Sequence, residues 1–207
     1  YRNVLVVDDN LATYPRAPIH IGFVAMGLIV RPTVGSDVPA VEALCKELYK
    51  ADPGVSALLE TGLLCVTAVE SETDAVVGFL CLHDDPVERS TSRASTSTAS
   101  WVKDVPTATS SPTSTSFVRL CAVVPQHELE ASVALLRGSL AVAPSIRRFL
   151  LASAQDLMLS DPGLACVFTR IASTGQGLLY EAKREAVLPA LTIRSACIED
   201  HDDMLPV

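Results

Sequence analysis

A chain of 207 residues, 49% of them hydrophobic, is long enough to bury a substantial core in one or two domains. Lys+Arg 16 against Asp+Glu 24 gives a formal charge of -8, which opposes phosphate backbones and anionic bilayers and argues against nucleic acid and membrane as partners. The longest apolar stretch, Ile19 to Val30, is broken by His20 and two glycines and falls short of the ~20 residues that cross a bilayer.

In chain order, Asn3-Val4-Leu5-Val6-Val7-Asp8-Asp9-Asn10 is an apolar run ending in carboxylates. It resembles the first strand of a response-regulator receiver, whose chemistry also needs an acceptor Asp at the end of a later strand. Around residue 53 the chain reads Lys50-Ala51-Asp52-Pro53-Gly54, a helix stop, so the run reads as an edge strand and residues 1–27 as an N-terminal segment. Residues 28–34 give a strand signal. Ser36 to Tyr49 places Val38, Val41, Leu44, Cys45 and Leu48 at helical spacing, and Asp52-Pro53-Gly54 ends that helix. Leu63–Val69 and Ala75–Leu82 are β-rich runs joined by the polar Glu70–Asp74 connection, which predicts a hairpin.

Ser90 to Ser116 comes next, a low-complexity insertion in which sixteen of 27 residues are Ser or Thr. Such a segment buries too little apolar surface to offset its ordering entropy. It reads as a linker or a phosphorylated regulatory tract, with Trp101 as its anchor where something external holds it. Phe117–Val124 predicts a strand and Glu128–Leu140 a helix. Ile146, Phe149, Leu150, Ala154 and Leu157 predict another helix, stopped by Asp161-Pro162-Gly163. Leu164–Ile171 reads as a strand and Gly177–Ala186 as a last helix. The alternation predicts an α/β fold, a mixed sheet with helices on both faces.

Few residues carry chemistry. Cys45, Cys65, Cys81, Cys121, Cys166 and Cys197 lie far apart and mostly in apolar runs, so they read as reduced, with Cys65, Cys81, Cys121 and Cys166 buried in strands. No pair has zinc-ligand spacing, and no metal is expected. Gly175-Gln176-Gly177 suggests a phosphate loop, yet it lacks the third glycine of a dinucleotide fingerprint and the Gly-Lys-Ser/Thr of a P-loop, so a flexible strand-to-helix turn is the reading.

The element order, with Ile29-Val30-Arg31-Pro32 and Asp37-Val38-Pro39-Ala40 opening it and Ala75-Val76-Val77-Gly78-Phe79-Leu80 as its third strand, resembles the Gcn5-related N-acetyltransferase fold over residues 28–190. In active members the fourth strand ends in Val-x-Pro and leads into a glycine-containing loop, whose backbone N–H groups at a helix N-terminus cradle the pyrophosphate of acetyl coenzyme A. The matching segment here is Val123-Val124-Pro125-Gln126-His127-Glu128-Leu129-Glu130-Ala131-Ser132. Both glycines are missing, and Glu128 and Glu130 set carboxylates where a pyrophosphate would sit. Tyr180 matches the tyrosine that protonates the leaving thiolate in active members. Without the cofactor loop it is expected to be a packing residue, and no catalytic, cofactor or metal residue is expected. An active acetyl-coenzyme-A-dependent N-acetyltransferase is the alternative.

The end of the chain repeats its beginning. Val30-Arg31 followed by Asp37 recurs 163 positions later as Ile193-Arg194 followed by Asp200, so residues 191–207 are expected to open a second, similar unit. Leu191 to Pro206, with its Glu199-Asp200-His201-Asp202-Asp203 run, is similar to the junction between tandem acetyltransferase-like units in the cilia- and flagella-associated protein 61 family. That resemblance implies a non-catalytic scaffold of the ciliary or flagellar axoneme. It also implies a place in the calmodulin- and spoke-associated complex at the radial spoke base, in support of motility. The implied partners are radial spoke base subunits, other members of that complex, calmodulin and the doublet microtubule.

Overall fold

The computed structural model describes residues 23–25, 27–49, 54–85, 88–89, 101–102, 105, 114–153 and 162–188. Among these residues nine strands make one sheet: β1 (Phe23–Ala25), β2 (Leu28–Pro32), β3 (Leu64–Glu70), β4 (Val76–His83), β5 (Glu88–Arg89), β6 (Thr115–Val123), β7 (Arg148–Ser153), β8 (Thr169–Thr174) and β9 (Gly177–Lys183). Their order is β1-β2-β3-β4-β6-β7-β9-β8, with β5 paired to β7. All pairings are antiparallel except β5–β7 and β6–β7. The helices are α1 (Val38–Tyr49), α2 (Val55–Thr61), α3 (Glu128–Val142) and two single turns, α4 (Pro162–Ala165) and α5 (Arg184–Val187).

Side chains alternate across the strands, and the alternation divides the core into layers. Leu80 and Leu82 of β4, Phe149 and Leu151 of β7, and Tyr180 of β9 join Leu135 and Leu136 of α3 in the largest cluster. Phe79 and Cys81 face the other way, onto Val41 and Cys45 of α1 and Val55 and Leu58 of α2. Beyond those helices the same face, carrying Phe117, Leu150, Ala152 and Leu179, is covered by Trp101 and Val102 of the insertion. Trp101 is therefore an anchor, seated on this chain's own sheet and not on an external partner.

Close approach fixes α3. A Cβ on Gly138 would lie 2.3 Å from Cγ1 of Val30, so only glycine lets this helix reach β2. On the opposite face the Tyr49 hydroxyl donates to the Cys121 carbonyl and ties the end of α1 to β6. The Arg31 side chain grips Asp37 through two hydrogen bonds of 2.6 and 2.8 Å, and the Val34 N–H donates to the same carboxylate at 3.0 Å. The Arg-to-Asp spacing that recurs at the chain's end thus encodes a clamp between β2 and the 3-10 turn Gly35–Asp37 that leads into α1.

Several elements differ from the sequence reading. The run expected as a helix from Ile146 is strand β7, buried on both faces, so no period of two survives in its sequence. Pro162-Gly163, expected as a stop, opens the short helix α4, and the strand expected from Leu164 starts only at Thr169. The last helix expected from Gly177 is strand β9 followed by one helical turn. Helix α2, starting after a left-handed Gly54 (φ 63°), has no counterpart in that reading. Thr115 and Ser116, placed in the insertion, begin β6 and are buried. Phe23–Ala25, placed in the N-terminal segment, pairs with β2 as the sheet's first strand. Asp8, Asp9, most of the Ser/Thr tract and residues 191–207 lie outside the described residues.

Candidate functional site

Among the described residues, neighbouring strands lose their pairing in mid-sheet at the β6–β7 junction. These parallel strands match only over Thr115–Phe117 with Arg148–Leu150. Beyond that, β6 runs on to Val123 and turns through Pro125–His127 into α3, while β7 stays paired with β9. The diverging strands and the start of α3 form the site to which the sequence resemblance points.

The start of α3 carries two carboxylates. Glu128 and Glu130 occupy its first turn, which suits the helix dipole by about 0.3–1 kcal/mol each. The N-cap, His127, makes no side-chain capping bond. One flank of the turn is filled by α4. A Cβ on Gly163 would lie 2.3 Å from the Glu128 carbonyl oxygen and 2.7 Å from Cβ of Ser132, so backbone packs on backbone there. Around the junction Val123, Leu151, Val167, Phe168 and Tyr180 are all buried in the main core. Tyr180 is 4% exposed and stands on β9 opposite Leu151, not in a helix after the sheet.

Gly175-Gln176-Gly177 is no strand-to-helix turn. It closes the β8–β9 hairpin, with Thr174 opposite Gly177 and the Thr174 hydroxyl accepting from the N–H groups of Gln176 and Gly177 at 3.2 Å each. Gly177 is glycine for packing: a Cβ would lie 2.9 Å from the Trp101 ring and 2.8 Å from the Ser153 carbonyl oxygen. Among the described residues the Trp101 indole N–H is buried without a partner.

Two features escape the sequence reading. A cavity of about 660 Å³ opens at the C-terminal end of α3, between Leu63, Thr115, Ser145 and Ile146, with Asp84 and Asp85 at its rim. There His83, Asp84 and Asp85 hold their ligand atoms within 4.8 Å of one another. The His83 Nδ1 already accepts from the Asp85 N–H at 3.0 Å, which marks a local turn. The cysteines divide: Cys45, Cys81 and Cys121 are buried and Cys65 is half-buried, while Cys166 is exposed in the turn after α4 instead of buried in a strand. Its thiol donates to the Gly163 carbonyl at 3.0 Å.

The model of the cilia- and flagella-associated protein 61 N-terminal domain matches residues 29–207. The chain belongs to that family. Membership makes it a cilium- or flagellum-associated protein. Among curated proteins no significant match is found. Solved structures share the fold. A GNAT-family acetyltransferase from Listeria monocytogenes superposes with a TM-score of 0.55 at 13% identity, over 78% of this chain and 99% of its own. An acetyltransferase from Agrobacterium tumefaciens superposes at 0.50 and 13%, over 84% of this chain and 98% of its own. The aminoglycoside acetyltransferase AAC(6')-Ib, solved with ribostamycin and coenzyme A, superposes at 0.51 and 11%, over 77% of this chain and 95% of its own. At such identities the likeness is one of fold, and the chain has the α/β architecture of the Gcn5-related N-acetyltransferases.

Proposed function

We propose that this chain is a non-catalytic, acetyltransferase-like scaffold of the ciliary or flagellar axoneme. In this reading it sits in the calmodulin- and spoke-associated complex at the radial spoke base and supports motility. Its partners are subunits of the spoke base and of that complex, calmodulin and the doublet microtubule. The observation that carries the non-catalytic reading is the start of α3. The glycines that would bare its N–H groups are absent, Glu128 and Glu130 place negative charge there, and Gly163 closes one flank. A pyrophosphate brought to that turn meets like charge where active enzymes offer bare donors.

The proposed organisation is an N-terminal segment (1–27) whose Phe23–Ala25 adds the first strand to the sheet, one acetyltransferase-like domain (28–190) carrying the insertion 90–116 whose Thr115 and Ser116 begin β6, and the opening of a second unit (191–207). Its support is the recurrence of Arg31 and Asp37 as Arg194 and Asp200, because the first pair is a working clamp. Calorimetric titration of the protein with acetyl coenzyme A tests the catalytic question. No saturable heat is expected, and a dissociation constant in the ~1 μM to 1 mM range of working enzymes would overturn the reading in favour of an active N-acetyltransferase.

A further inference from the structure

Strands β3 and β4 place Cys65 directly opposite Cys81. Directly opposed Cα atoms in an antiparallel ladder lie about 4.5–5.5 Å apart, inside the ~4.4–6.8 Å that a disulfide spans. Both side chains leave the sheet on the α2 face. Their sulfurs lie 3.7 and 4.0 Å from one acceptor, the Leu58 carbonyl oxygen, so the two thiols sit side by side. A Cβ on Gly62 would stand 3.1 Å from each sulfur, so the backbone passes over the pair with no side chain above it.

The two thiols are not equivalent. Cys81 is fully buried and Cys65 half-buried, so a small oxidant reaches Cys65 first. The adjacent Cys81 thiol and the positive charge of Arg119 hold the Cys65 thiol below its ordinary pKa against the opposing effect of burial. The adjacent Cys65 thiol and its own burial push Cys81 up. That division suits a nucleophilic thiolate beside a protonated partner.

We propose that Cys65 and Cys81 are a reversible dithiol–disulfide couple, a redox modification site for hydrogen peroxide and other small peroxides. The Cys65 thiolate attacks a peroxide oxygen and the O–O bond breaks. Cys65 is left as a sulfenic acid, and hydroxide departs to be protonated to water. The Cys81 sulfur then attacks the Cys65 sulfur. The S–S bond forms as the S–O bond breaks, and the hydroxyl leaves with the Cys81 proton as a second water. Two thiols are oxidised, one peroxide is reduced, and a thiol reductant reverses the bond. The bond would close along the existing ladder and pin β3 to β4 beneath the end of α2.

The test uses the full chain, reduced, desalted and treated under native conditions with a few equivalents of hydrogen peroxide. It is then alkylated and cleaved after glutamate. Cleavage at Glu60, Glu70, Glu72 and Glu88 puts Cys65 and Cys81 on separate peptides, 61–70 and 73–88. The expected result is one joined species, lighter by two hydrogens than the sum of the reduced peptides and separated again by dithiothreitol. In Cys81→Ser, Cys65 should be trapped by dimedone as a sulfenic acid; in Cys65→Ser, Cys81 should remain alkylatable. Wild-type peptides that stay separate, with both cysteines still alkylated, overturn the proposal. So does either cysteine joined instead to Cys45, Cys121, Cys166 or Cys197.

Discussion

Replacing Asp37 with Asn should destabilise the protein by about 2 kcal/mol, and Asp37→Ala by about 3 kcal/mol. The carboxylate accepts two hydrogen bonds from Arg31 and one from the Val34 N–H, and its side chain is 6% exposed. A hydrogen bond to a charged group contributes roughly 1.5–3 kcal/mol, and breaking a fully buried pair costs roughly 3–5 kcal/mol. The Arg31 side chain is 19% exposed, so solvent reclaims part of the loss and the expected cost falls toward the lower end. The pH dependence has its origin in the same contacts. Burial pushes the Asp37 carboxyl up, but the Arg31 hydrogen bond, the Val34 N–H and the Arg31 charge together outweigh it and hold its pKa below the ordinary aspartate value of 3.8. A depressed folded-state pKa means stability that is fully present above the unfolded-state value and is lost as pH falls through the folded one. Urea denaturation of wild type, Asp37→Asn, Arg31→Met and the double variant, at neutral pH and at several values below about 4, measures both effects. A coupling energy of about 1.5 kcal/mol at neutral pH that shrinks in acid is expected. Coupling under about 0.5 kcal/mol, or a wild-type-to-Asn difference indifferent to pH, would refute the clamp.

Packing and exposure set the other expectations. Gly138→Ala should cost at least about 1–3 kcal/mol by urea midpoint, because its methyl would enter Val30, whereas Gly35→Ala, which meets nothing within 4 Å, should cost far less. Thiol labelling of the native protein should be fast at Cys166 and slow at Cys45, Cys81 and Cys121; equal rates would contradict the burial pattern. In a structure of the chain extended past Val207, Arg194 should hold Asp200 as Arg31 holds Asp37, and the two side chains found apart would remove the support for a second unit. Residues 28–190 alone should be poorly soluble and gain stability with the rest of the chain or spoke-base partners, and a soluble cooperative monomer indifferent to them would count against a scaffold.

The first half of the sheet is legible in the sequence because its strands and helices carry different periods. Val41, Leu44 and Cys45 recur at helical spacing, and the runs on either side of Glu70–Asp74 fold back as a hairpin with only one residue of error at each end. The Cys65–Cys81 pairing is not legible there, because a bulge at Ala68/Val69 shifts the register by one residue between the turn and the two cysteines. The second half is obscure where burial is two-sided. Phe149, Leu150, Leu151 and Ala152 are at most 1% exposed, so the strand carries no alternation and its apolar positions fit a helical template equally well. Gly175 and Gly177 mislead because glycine marks a turn without specifying the next element, and the reason for Gly177, the Trp101 ring, lies far away in sequence. At the candidate site, Glu128 and Glu130 are readable at once. The close approach of Gly163 is not, because it depends on where α4 packs.

In the proposed function this fold serves the axoneme as a held scaffold and not as a catalyst. Subtomogram averaging of doublet microtubules, from ciliated cells with and without the protein, tests it most directly. Density that fits the described nine-stranded sheet is expected at the radial spoke base, retained after detergent extraction and lost with the protein along with normal beating. Intact spoke bases in its absence, with the protein recovered in the detergent-soluble fraction, would contradict it.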